Sequence, residues 1–218
     1  MRDKERAAVY QEQMEDMLNG GVASNLDPSE IKECQGPVHY ISHYEVINLK
    51  SSSTPVRIVF NSSAKFNGLS LEVHWVKGLD LMNNMLGIIL RFREGRITMA
   101  GNIRKMYHSM HMSLLDHHTN RFFISFLMEV DREPDKYMMN RVSFGDKPAG
   151  SIATLALRKT AEEFKEQYPR AAEVILTNTY VDDMLDNFDH TQEALQTTIS
   201  WIWWIFNEGV DKKYAQRK

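Results

Sequence analysis

Cysteine occurs once in 218 residues, at Cys34. A lone thiol excludes a disulfide framework and a thiolate zinc site, and it suits a reducing compartment. No apolar run approaches the roughly 20 residues that a membrane helix requires. The most apolar window, Ile199 to Phe206 with Trp201, Trp203 and Trp204, is far shorter. The N-terminus, Met1-Arg2-Asp3-Lys4-Glu5-Arg6, is charged and runs into polar sequence, so no export signal is expected. Neither Gly-x-Gly-x-x-Gly nor Gly-x-x-x-x-Gly-Lys-Ser/Thr is present, which argues against nucleotide-loop kinases, ATPases and dehydrogenases. A strong charge of either sign is also lacking: the formal net charge is −3, so a nucleic-acid partner would have to be held by a local patch. The expectation is an intracellular protein, cytoplasmic or nuclear, with no membrane partner.

What is present reads as globular. Hydrophobic residues make up 43% and charged residues 25%, which excludes a disordered or collagen-like chain and allows a real core. Helical spacing predicts a helix over Asp3 to Leu18, stopped by Gly20-Gly21, and Asp27-Pro28 predicts an N-cap and first position of a second, short helix. Val38 to Leu49 and Val56 to Phe60 read as extended, with Ser51 to Pro55 as a turn. Gly78 to Arg93 reads as a helix through Leu79, Met82, Leu86, Ile89 and Leu90, and Arg96 to Gly101 as a strand. Arg121 to Val130 and Tyr137 to Ser143 are expected as strands about the turn Arg132 to Asp135. A long helix is expected from Ser151 to Gln167, broken at Tyr168-Pro169. Val174 to Val181 and Met184 to Phe188 are expected as strands flanking Asp182-Asp183, with a last helix from Thr191 to Phe206. The fold class is α+β, helices packed on an antiparallel sheet in one mixed domain.

The sharpest feature is Thr179-Tyr180-Val181-Asp182-Asp183-Met184-Leu185, two adjacent carboxylates between apolar strands. Aspartate is a good turn residue, so one reading is a plain hairpin tip. The other is a platform for a divalent ion, because Mg²⁺ takes hard anionic oxygens from one or two carboxylates plus substrate phosphates.

Tyr180-Val181-Asp182-Asp183 resembles the YxDD box of reverse transcriptases, and three more blocks stand in the order of that family. Arg57 to Lys65 resembles the fingers strand that meets the incoming triphosphate. Gly101-Asn102-Ile103-Arg104-Lys105-Met106-Tyr107-His108 resembles the first palm motif, and Phe144-Gly145-Asp146-Lys147-Pro148 the loop before the palm's long helix. With Arg132-Glu133-Pro134-Asp135 and Leu157 to Glu162, the wording is similar to the Bel/Pao group of LTR retrotransposons, over about residues 37–195. The resemblance implies palm and fingers, preceded by a helical extension at 1–36 and followed at 196–218 by a divergent tail in place of a thumb. It implies an RNA-directed DNA polymerase that joins deoxynucleoside triphosphates to a primer on an RNA or DNA template. Such enzymes use two Mg²⁺ ions roughly 3.5–4 Å apart. By resemblance Asp182 and Asp183 are metal carboxylates, and Tyr107 is the ring that rejects a ribose 2′-hydroxyl. Arg57 meets the triphosphate, and Phe144 and Gly145 shape the floor of the nucleotide pocket. Taken without the family, Tyr107 and Phe144 read as ordinary packing and Arg57 as a surface charge.

One departure governs the expectation of activity. The family carries Asp where this chain has Asn102, so an anionic bridge between two dications is replaced by a neutral amide. Low or absent activity is therefore implied, and two alternatives stay open: a non-catalytic nucleic-acid-binding remnant and an interaction scaffold. Among other signals, His108, His111 and His117-His118 lack the Glu of a zincin and a Cys cluster, which disfavours a metal site. Lys65, Lys77, Arg91, Arg93, Arg96, Arg104 and Lys105 are candidates for a nucleic-acid track or for solvated surface.

Overall fold

The computed structural model describes residues 4–48, 56–125 and 133–203. The turn expected at Ser51 to Pro55, the end of the strand expected up to Val130, Arg132 and Trp204 lie outside the described residues, as do the side chains of Trp201 and Trp203.

In chain order the first elements are α1 (Lys4–Asn19), β1 (Ala23–Asn25), α2 (Pro28–Glu33), β2 (Ser42–Ile47), β3 (Val56–Asn61), α3 (Leu71–His74), α4 (Met85–Arg91) and β4 (Ile97–Asn102). There follow α5 (Leu114–His117), β5 (Arg121–Ile124), β6 (Asp135–Met139), α6 (Ala149–Glu163), α7 (Pro169–Thr177), β7 (Thr179–Tyr180), β8 (Asp183–Phe188) and α8 (Thr191–Trp203). The fold is mixed α and β, with three small antiparallel sheets in the orders β1-β6-β5, β2-β3 and β4-β8-β7. The chain forms two compact units, each assembled from two segments: residues 1–76 with 111–149, and 77–110 with 150–218.

The first unit is built on aromatic packing. Phe122 stands edge-on to Phe60 with ring centres 5.0 Å apart and stacks on Tyr137 at 5.8 Å. Met14, Val22 and Ala23 join this core, so α1 and β1 are integral to the unit. Helix α1 is further tied to the β2–β3 hairpin by an Arg6–Glu45 ion pair, a Tyr10–His43 hydrogen bond and a bond from Gln13 to the Val56 carbonyl. Helix α2 starts as its sequence predicts: the Asp27 carboxylate accepts from the Ser29 N–H and Glu30 accepts from the Asp27 N–H.

In the second unit, α6 buries Ala153, Leu157 and Ala161 at four-residue spacing. Helix α8 covers one face of β4 and β8, its Thr198 hydroxyl reaching the Met99 sulfur, while α7 packs beside β8. Gly95 leads into β4 close to β8; a Cβ there would lie 2.8 Å from the Phe188 nitrogen, so only glycine fits the approach.

Three expectations require correction. Val174 to Thr177 is helical rather than extended: Pro169 opens α7 instead of only breaking α6, and Ala171, Ala172, Val174 and Ile175 form its buried stripe. β-Branched residues at helical spacing were thus decided by tertiary burial. Residues 78–84 are not helical, because Asp80 takes the Met82 N–H in a turn and Asn84 caps α4 by accepting from Gly87. Beyond Met139 the strand expected to Ser143 gives way to a bend at Asn140 and a single antiparallel bridge from Arg141 to His111.

One ion pair holds α7 to β8. Asp186 is 0% exposed on a strand face otherwise filled by Met184 and Phe188. Its Oδ1 accepts from Arg170 Nη2 at 2.6 Å and from the Asn187 N–H at 2.9 Å. Its carboxyl pKa is raised, because burial pushes it up by more than these donors pull it down. Arg170→Met should cost about 3 kcal/mol in urea unfolding, because it strands a buried carboxylate. Asp186→Asn in the same background should recover part of that loss, and full additivity of the two changes would disprove the coupling.

Candidate active site

The edge of the second unit's sheet gathers Asn102, Asp182, Asp183 and Tyr107. Strand β4 ends at Asn102, which stands directly opposite Asp183 in the β4–β8 register. Directly opposed residues share a sheet face. Here it is the open one: Thr98, Ala100, Asn102 and Asp183 are exposed, whereas Met184, Asp186 and Phe188 are buried on the other face. Asn102 Nδ2 donates to Asp183 Oδ1 at 3.0 Å.

Asp182 occupies the tip between β7 and β8 and is half-buried. Its carbonyl accepts the Ile103 N–H at 2.8 Å, which pins the tip to the chain leaving β4. The turn has only two residues, Val181 and Asp182, because Tyr180 pairs with Asp183. Val181 has φ +57°, the left-handed region, where a β-branched residue is strained by about 1–3 kcal/mol. A two-residue hairpin selected for ease of turning carries Asn-Gly or Asp-Gly instead.

Tyr107 lies in the single 3₁₀ turn Tyr107–Ser109 that follows. Burial raises the pKa of its phenol, and the Asp182 charge raises it further.

The remaining predicted residues belong to the first unit. Arg57 is exposed on β3 opposite Val46. Phe144 is 63% exposed, and Gly145 has φ +99°, a conformation that side chains other than glycine's rarely adopt. The structure therefore brings four of the seven predicted residues together within one unit and sets Arg57, Phe144 and Gly145 on the other.

Among the described residues no group of three or more His, Cys, Asp and Glu side chains is placed to hold a metal. The donor set at the sheet edge fits Mg²⁺ in part. Asp182 and Asp183 supply hard anionic oxygens, but Asn102 turns an N–H rather than an anion toward Asp183. Of the basic residues, Arg91 is not solvated surface: its guanidinium donates to Asn178 Oδ1 at 2.7 Å and to the Thr177 carbonyl at 2.6 Å.

Two buried acids had no assigned role in the sequence. Asp186 leaves a trace there, an acid alternating with Met184 and Phe188 on one strand face. Asp146 leaves none, standing in a loop where aspartate is ordinary. No protein-family model matches the chain, and no curated protein matches it. Among the described residues no helix is long and apolar enough to cross a membrane.

Proposed function

We propose that the chain is the fingers–palm domain of a Bel/Pao-type LTR retrotransposon reverse transcriptase whose nucleotidyl transfer is impaired at Asn102. The observation that carries this reading is the pairing of Asn102 with Asp183 at one open sheet edge, 3.0 Å apart, with Asp182 on the adjoining tip. Strain at Val181 supports it, because strained backbone is retained where surrounding structure and function require it. So does the placement of two palm-like blocks, those at Gly101-Asn102 and Tyr180 to Asp183, in the second unit. The block resembling the fingers strand falls in the first unit, together with the Phe144-Gly145 loop.

In this reading Asp182 and Asp183 hold Mg²⁺, which would supply charge stabilisation to the triphosphate and to the attacking primer hydroxyl. Tyr107 packs under the sugar, Arg57 grips phosphate oxygens, and Phe144 and Gly145 floor the nucleotide pocket.

A non-catalytic nucleic-acid-binding protein is the second reading, favoured by the Asn102 N–H that engages a carboxylate oxygen the ion would need. Filter binding of a primer–template, run beside primer extension, separates the two. Both readings expect affinity that falls as salt rises, through released counterions. Only the first expects residual Mg²⁺-dependent extension. Affinity that is absent at low salt would remove both and leave a scaffold.

A further inference from the structure

Helix α4 is apolar on both sides. Its inner side holds buried Ile88 and the Arg91 contacts with Thr177 and Asn178. Its outer side presents Met85, Leu86, Ile89 and Leu90 at i, i+4 spacing, with Leu86 66% and Leu90 58% exposed. The surface continues along the preceding segment through Met82 and Leu79, the latter 74% exposed. That segment is fastened to α6. The Ser151 hydroxyl lies 2.8 and 2.9 Å from the carbonyls of Lys77 and Leu79, its one proton shared between them, and Arg158 donates to Asn83 at 3.3 Å. Leu155, also exposed, lies between those two anchors on the same face of α6.

The six side chains of α4 and its preceding segment alone present on the order of 600 Å², at the upper end for the largest apolar patch of a monomer. About 800 Å² per partner is typical of a stable interface. The charges at the two ends of the patch complement each other. Asp80 and Lys77 precede it and Arg93, Glu94 and Arg96 follow it, all exposed. An antiparallel copy places each Asp80 toward the partner's Arg93 and Arg96, and each Lys77 toward the partner's Glu94. A parallel copy would oppose like charges.

We propose that this face is a self-association surface, on which two copies of the chain pair antiparallel across α4 about a two-fold axis. Such an axis requires a self-complementary patch, which the symmetric placement of Met85 and Leu90, and of Leu86 and Ile89, provides. This inference is independent of the polymerase reading.

The test is sedimentation velocity of the full chain from about 1 to 100 µM, the range of weak to moderate self-association. A dimer is expected, with Leu86→Glu plus Ile89→Glu weakening it at least about tenfold, while circular dichroism and the melting temperature hold. Asp80→Arg alone, and Arg93→Asp with Arg96→Asp, should each weaken association. Mixing those two chains should restore a heterodimer, which a merely unfolded variant cannot do. A monomer throughout would overturn the proposal and leave the face to a different protein. Association untouched by the Leu86 and Ile89 changes would also overturn it, placing the contact elsewhere.

Discussion

Asn102→Asp is expected to raise Mg²⁺-dependent primer extension on the order of 10³-fold, the equivalent of roughly 4 kcal/mol in the barrier. Asn102 already stands where a third carboxylate could join Asp182 and Asp183, paired opposite Asp183 on the open face. The exchange replaces an N–H that now donates to Asp183 with an anion facing an anion. Without a cation, directly opposed like charges destabilise a strand pair. The variant should therefore melt below the parent in chelator and gain more than the parent from added Mg²⁺. Extension and thermal shift read the same geometry by separate routes. Equal and robust synthesis by both chains would show that residue 102 takes no part in holding the ions.

Asp146 should make the fold less stable as pH rises. It is 7% exposed, and its Oδ1 has no hydrogen-bond partner among the described residues. Burial pushes its carboxyl up from 3.8 to about 7, against a smaller opposing pull from the Ser143 backbone. Below the unfolded value the group is protonated in both states and contributes nothing. Between the two values the unfolded chain releases a proton that the folded chain keeps, so stability falls by about 1.36 kcal/mol per pH unit. Above the folded value the penalty is complete, on the order of 4 kcal/mol. Asp146→Asn should therefore leave stability unchanged in acid and raise it progressively up to about neutral pH, read as urea midpoints across a pH series. A mutant-minus-parent difference that stays flat with pH would disprove the assignment.

Much of the second unit's candidate edge was legible in the sequence itself. Apolar residues on both sides of Asp182-Asp183 announce strands meeting at a tip, and the resemblance carried by Gly101-Asn102 pointed to its counterpart. The same signals failed at α7, where Val174 and Ile175 favour a strand by intrinsic preference and are helical because Pro169 starts a turn whose buried face they complete. They failed again before α4. The apolar spacing of Leu79 and Met82 suggested an inward face, yet both side chains are exposed and the Asp80 and Asn84 side chains bind backbone N–H groups that a longer helix would use.

Sequence alone determined the absence of disulfides, the α+β class, the strands β3, β4 and β8, and the carboxylate pair, since each rests on composition or on short-range pattern. Tertiary structure decided the register that sets the Asn102 amide against Asp183, the burial of Asp146 and Asp186, and the outward apolar face of α4. Register and burial depend on which distant segment lies alongside, and no local pattern of residues carries that information.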